Sequence, residues 1–146
     1  MSMSNASENA LALLLFNNTA WANVGDASGL QPSGAAGNFY ARLHTADPGE
    51  AGTGDTSQAD YTGYAAVAIP RSVAGFTVSG NQIANAASVQ FGECSAGTNL
   101  VTHFSITLGS GAASPILFSG ALSASRTITS GITPIFNIGA LTGTLD

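Results

Sequence analysis

The chain has 146 residues and a mass of 14.5 kDa, a length that suits one domain with its own buried core. Only 8% of the residues are charged, and three arginines without a lysine give a formal net charge of −5 against eight acids. The composition excludes a lysine-dependent phosphate loop and Schiff-base chemistry, and three cations are too few for sequence-independent binding to nucleic acid.

The first predicted element is a short helix around the apolar run ALALLLF at 10–16. Ser7 is a suitable N-cap, and Glu8 fits the first helical turn. The run is much shorter than the ~20 residues that cross a bilayer, and no basic residue precedes Arg42, so we expect neither a membrane span nor a secretory signal. We assign 1–22 as an N-terminal helical segment, either an arm or a docking helix.

Strand patterns begin after a Gly- and Ser-rich loop at 23–38. The predicted strands lie at 39–45, 64–69, 75–79, 82–84, 88–91, 101–108, 116–122, 126–129, 134–138 and 141–145. The turn-rich stretch 46–63 is predicted to be an exposed loop, and 79–81 a hairpin tip. Short strands at this spacing with one helix predict a mostly β fold, an antiparallel β-sandwich or jelly roll forming a single domain over 23–146.

Residues that could support catalysis or bind a metal are few. His44 and His103 are the only histidines, each on a predicted polar strand face, and no Gly-x-Ser-x-Gly elbow accompanies them. One cysteine and two histidines lack the spacing of a zinc site. The acids Glu50, Asp55 and Asp60 do not match an EF-hand. We therefore predict no enzymatic activity, no metal and no cofactor.

A surface so poor in charge provides little repulsion between copies, which predicts a homo-oligomer, a dimer or trimer, or binding to a scaffold. Because cations are scarce, we expect each arginine to meet an acid, within the chain or across an interface. The candidate interface residues are the apolar side chains of the first segment and the three arginines: Leu11, Leu14, Leu15, Phe16, Trp21, Arg42, Arg71 and Arg126.

Several segments carry a family resemblance through their order and spacing. They are SENALALLLFNNTAW at 7–21, LHTADPGEAGTG at 43–54, VTHF at 101–104 and GALSASRTI at 120–128. In this order they resemble a family of small virion structural proteins from tailed bacteriophages, whose members are often called tail fibre or phage structural proteins. The similarity covers nearly the whole chain. It implies a virion component without catalytic residues.

The resemblance and the low charge together favour a capsid cement or decoration protein, bound to the major capsid protein or other virion proteins, that stabilises the shell by bridging capsomers. Fibres commonly carry a long repetitive or coiled-coil shaft, which these 146 residues lack, so the capsid surface is favoured over the tail. Two alternatives stay open. One is a tail-associated fibre or baseplate module, and the other is a host-glycan-binding module that uses exposed Trp21, Tyr61 or Tyr64.

Overall fold

The computed structural model describes residues 2–145 and is mostly β. Its elements in chain order are α1 (Asn5–Asn17), β1 (Asn38–His44), β2 (Val67–Pro70), β3 (Phe76–Ser79), β4 (Gln82–Asn85), β5 (Val89–Gln90), β6 (Asn99–Thr107), β7 (Ile116–Ile128), β8 (Ile135–Phe136) and β9 (Thr142–Thr144). The strands form sheets in the orders β2-β1-β6-β7, β3-β4-β9 and β5-β8. The predicted class, mostly β with antiparallel sheets and one short N-terminal helix, is confirmed.

The chain divides into two compact units, each discontinuous in sequence. Unit 1 contains 2–37, 70–88 and 136–145, and unit 2 contains 38–69 and 89–135. The helix belongs to unit 1, while the predicted boundary between 1–22 and 23–146 stays a prediction. Among residues 2–145 the structure has no helix that is long and apolar enough to cross a membrane.

The helix α1 begins three residues earlier than its predicted cap. Ser4, not Ser7, is the N-cap, and its Oγ accepts a hydrogen bond from the Ser7 N–H at 3.3 Å. The helix ends at Asn18, whose left-handed backbone (φ 52°) lets its N–H reach the carbonyl of Leu13. Asparagine tolerates this conformation better than most residues, which explains the stop at this position.

Unit 1 packs α1 against the sheet β3-β4-β9. The rings of Phe16 and Phe76 lie 5.0 Å apart in an edge-to-face arrangement, and both side chains are buried. The predicted hairpin tip is confirmed, because Ser79 pairs with Gln82 and leaves a two-residue turn in which Gly80 has a positive φ of 62°. Glycine adopts that conformation without strain.

Unit 2 is built on the antiparallel pairs β1–β6 and β6–β7. Five of the seven β1 residues are buried, so both faces of this strand are covered. The two predicted strands 116–122 and 126–129 form one strand, β7, with a register shift: Val101 pairs with Arg126, and His103 pairs with Ala121. Four β7 residues therefore lie opposite one β6 residue, a bulge that the alternation of small residues did not reveal.

Candidate functional site

Arg42 is the centre of a buried polar cluster in unit 2. It lies on β1 and is only 3% exposed. Its Nε donates to Thr107 Oγ1 at 3.2 Å, its Nη2 donates to the carbonyls of Ser110 at 2.9 Å and Gly111 at 2.7 Å, and its Nη1 donates to Gln58 Oε1. One guanidinium thus fastens the loop 46–63 and the β6–β7 connection to the sheet.

The acceptors around Arg42 are neutral oxygens, so the expected acid partner is wrong for this arginine. Five N–H donors in a planar fork can bond several separate carbonyl and hydroxyl groups, which a single carboxylate could not replace. Gly54 lies directly against this fork, since an added Cβ would stand 2.7 Å from Arg42 Nε and 2.8 Å from the Ala112 carbonyl. The cluster therefore explains why glycine occupies that loop position.

His44 lies two residues after Arg42 on β1 and is fully buried. Its Nδ1 lies 2.8 Å from the Thr56 carbonyl, which can only accept, so Nδ1 carries the proton. Its Nε2, 2.8 Å from Ser105 Oγ, then accepts from that hydroxyl. Burial lowers the pKa of His44, with Arg42 and His103 adding to the effect against the opposing bond from Thr56.

A serine and a histidine within hydrogen-bond distance invite comparison with a hydrolase. Here a backbone carbonyl stands where the orienting acid of a triad would be, and both Ser105 and His44 have no exposed surface. Because both side chains are fully buried, this pair cannot contact a substrate in this conformation. The sequence predicts His44 on a polar strand face but does not reveal Ser105 as its partner, because the pairing depends on the β1–β6 register.

The two tyrosines proposed as exposed glycan contacts belong to an aromatic cluster in unit 2. Tyr61 is 3% exposed, so its predicted exposure is wrong, and its hydroxyl donates to the Gly92 carbonyl at 3.0 Å. Burial raises the pKa of Tyr61 to about 12 and also raises the pKa of Tyr64. Tyr64 is half-buried, stacks on Phe91 and accepts a hydrogen bond from the Leu43 N–H.

Arg71 joins the end of α1 to the rest of unit 1. Its Nη2 donates to the Leu14 carbonyl at 2.8 Å and to Asn18 Oδ1 at 2.9 Å, its Nε donates to the Leu15 carbonyl, and its Nη1 donates to the Ala36 carbonyl at 3.1 Å. Carbonyls of the last helical turn have no partner within the helix, so a cation is favourable there.

The eight predicted interface residues have different surroundings. Phe16 and Arg42 are buried within the chain and offer no side-chain surface to a partner, while Arg126 is exposed on β7. The other five are half-buried: Leu11, Leu14, Leu15, Trp21 and Arg71. The structure brings Arg71 to the carbonyls of Leu14 and Leu15, a contact that no sequence spacing predicted.

Exposed apolar surface lies on side chains other than the predicted interface residues. In unit 1, Val73 is 76% exposed and Ile138 is 69% exposed. In unit 2, Leu100, Leu108 and Ile135 are each about half exposed. Scattered apolar residues occur on many surfaces, yet here they accompany an 8% charged composition, which leaves few charges to oppose contact with a partner.

The described residues show neither a cluster of metal ligands nor an exposed cysteine. Among residues 2–145, no three His, Cys, Asp or Glu side chains gather as a group that could hold a metal ion. Cys94 is buried, and its Sγ lies 3.4 Å from the Ala96 carbonyl. It fills space as a small apolar side chain with a weak donor.

The chain was compared with protein families and with curated proteins. A family model described as "Podophage GP4 fiber I protein gp80" matches residues 2–144. No curated protein matches the chain. The family match spans both units of the structure.

Proposed function

Because the chain belongs to the Gp80 family, described as podophage GP4 fiber I protein, we propose that it is a structural subunit of a podophage tail fibre. The chain is a tailed-phage virion structural protein, and its place in the fibre is the proposal. The observation that carries it is the family match over 2–144. The family description favours the tail-associated alternative over capsid cement, which the description does not mention.

The surface suits a role based on contact rather than turnover. Few charges and several half-exposed apolar side chains, such as Leu100 and Ile135, favour packing against copies of the chain, as a dimer or trimer, or against other virion proteins. The sealed Ser105–His44 pair supports a role without catalysis. Neither a nucleic acid nor a membrane is a proposed partner.

The loops that could form such contacts are held in place from within the chain. Arg42 fixes the loop 46–63 through Gln58 and the β6–β7 connection through Ser110 and Gly111. A loop ordered before binding loses less conformational entropy on association, so more of the contact energy remains as affinity. This order supports a passive structural role for the loop side of unit 2.

Labelling of virions tests the location. Gold-labelled antibody against this protein should decorate the tail of negatively stained particles, with antibody against the major capsid protein as the comparison. Label confined to the head would refute the fibre assignment and restore the cement hypothesis. Particles that lack the protein should lose adsorption to the host and keep their heat and osmotic resistance, whereas a cement protein would give the opposite result.

A further inference from the structure

The basic residues of this chain are concentrated in one sheet. The sheet β2-β1-β6-β7 has no acidic residue, and it contains four of the five basic residues of the chain: Arg42, His44, His103 and Arg126. Strand pairing joins Arg42 to Ser105 and His44 to His103. Because alternate residues of a strand point to the same side, Arg42, His44 and His103 share one side of the sheet. We refer to it as the basic side.

The loop 46–63 covers the basic side, where Arg42 and His44 are buried. Two of its attachments are made by these side chains, through Gln58 and through the Thr56 carbonyl. The others are backbone hydrogen bonds: Thr45 N–H to the Ser57 carbonyl at 2.7 Å, Gly54 N–H to the Ser114 carbonyl at 2.9 Å and Ala59 N–H to the Leu43 carbonyl at 2.9 Å. Polar contacts therefore hold this loop on the sheet.

The segment 46–58 of this loop has no large apolar side chain. Its sequence, ADPGEAGTGDTSQ, lacks Val, Ile, Leu, Met and aromatic residues. The strands beneath it, by contrast, bury Leu43, Val101 and Ile106. Regions with few buried apolar contacts open locally at a lower free energy than the core. The loop can therefore leave the sheet while β1 and β6 stay paired.

Protonation changes the contact of His44. In the neutral ring, Nε2 accepts a hydrogen bond from Ser105 Oγ while Nδ1 donates to the Thr56 carbonyl. A second proton makes Nε2 a donor, so the Ser105 hydroxyl can no longer donate to it. The new charge also stands in a buried place beside two basic groups, Arg42 and His103, and both effects are relieved when the loop opens and water reaches the ring.

The charged groups around His44 do not compensate for this added charge. The four acids of the loop are all exposed to solvent: Asp47, Glu50, Asp55 and Asp60. Asp55, the acid next to Thr56, accepts a hydrogen bond from the Thr53 hydroxyl. On β7 the titratable residue is Arg126, which is also basic. Tyr64 accepts from the Leu43 N–H, and burial raises the pKa of its hydroxyl, so it stays neutral.

We propose that the loop 46–63 is a pH-sensitive latch, which opens when His44 takes up a second proton while the sheet beneath it stays folded. The latch follows from the contacts of unit 2. Its consequence for assembly rests on the proposed structural role, because a loop that is disordered before binding loses more entropy on association. Contacts made by the loop side of unit 2 therefore weaken in acid.

The first test measures amide hydrogen exchange of the purified full-length chain by nuclear magnetic resonance at pH 7.5, 6.5 and 5.5. Protection factors, which correct for the pH dependence of intrinsic exchange, should fall by about tenfold in total at Thr45 and Gly54. Protection in the β6–β7 ladder should change much less. The proposal is overturned if Gly54 keeps its protection or if the ladder loses protection to the same extent.

The second test uses Cys94 as a reporter of the fold of unit 2. It is the single cysteine of the chain and is fully buried. Its reaction with a thiol reagent, measured relative to glutathione at the same pH, should stay slow at pH 5.5, where Gly54 has lost protection. Reaction of Cys94 that accelerates together with exchange at Gly54 would mean that the whole unit opens, and the latch proposal would fail.

The third test assigns the opening to one histidine. His44→Asn should remove the pH dependence of Gly54 protection, whereas the matched variant His103→Gln should keep it. In the native chain, the ring nitrogen signals of His44 and the protection of Gly54 should change with one midpoint. Different midpoints, or a pH dependence that persists in His44→Asn, overturn the proposal. These measurements use the isolated protein, so their failure would leave the tail assignment, which rests on labelled virions, unaffected.

Discussion

Acidification between pH 7.5 and 5.5 should destabilise this protein through His44. The ring is buried and neutral, with Nδ1 donating to Thr56 and Nε2 accepting from Ser105. A second proton would place a charge beside Arg42 on the same strand and opposite His103 on β6. The proton therefore binds more readily to the unfolded chain than to the folded one.

The sign and size follow from proton linkage. The folded pKa of His44 lies below its unfolded value of about 6.5. The contribution of His44 to stability is therefore fully present above the unfolded value and is lost as the pH falls towards the folded pKa. While the folded ring stays neutral, the slope of the free energy of unfolding against pH approaches about 1.4 kcal/mol per pH unit. Integrated from pH 7.5 to 5.5, the free energy of unfolding falls by at most about 1.4 kcal/mol for one such histidine, the full amount corresponding to a folded ring that stays neutral throughout.

Urea unfolding at pH 7.5, 6.5 and 5.5, followed by far-ultraviolet circular dichroism, measures this change. The variant His44→Asn keeps an N–H donor for Thr56 and cannot titrate, so it should lose the pH dependence whatever its overall stability. The matched control His103→Gln, at the other histidine, should retain the dependence. A free energy of unfolding that is flat in the native chain, or a slope that persists in His44→Asn, would refute the reasoning.

Three further predictions concern contacts within the units. Phe16→Ala should lower the free energy of unfolding by about 3–5 kcal/mol, because the ring is fully buried against Phe76. Chemical denaturation measures the loss, and a change below about 1 kcal/mol would contradict this packing. Arg71→Met keeps much of the length but removes the donors to the α1 carbonyls, so amide hydrogen exchange in the last helical turn should accelerate several-fold, and unchanged protection would argue against the contact. Gly29→Ala should lower the thermal unfolding temperature, since φ is +64° and the added Cβ would lie 2.0 Å from the Trp21 carbonyl. Gly25→Ala is the control, because Gly25 also has a positive φ but has open space around it, and it should lower the unfolding temperature less.

Local sequence patterns predicted most of the elements of this fold. Alternating residues predicted β1 within one residue at each end, and the Gly80–Asn81 turn is the hairpin tip that its residue types indicated. Helix formers around 10–16 predicted α1, although Ser4 rather than Ser7 caps it. These successes concern contacts between residues close in sequence, where periodicity and turn chemistry decide the backbone.

The partners of the polar residues depended on long-range contacts. Arg42 was expected to meet an acid, yet its donors reach oxygens 65 or more residues away as well as Gln58. Tyr61 was expected at the surface and is buried, with its hydroxyl donating to the carbonyl of Gly92, 31 residues away. The eight candidate interface residues included Phe16, which its own sheet covers.

The sequence alone determined a mostly β chain with little charge, one short helix and the segment order of a tailed-phage virion family, since composition, periodicity and motif order are properties of the chain itself. Only the tertiary structure decided that His44 and Ser105 seal each other from solvent and that the basic residues of β1 and β6 share one side of their sheet. Strand register brings these residues together, and register is set by pairing between distant segments, which local patterns do not specify.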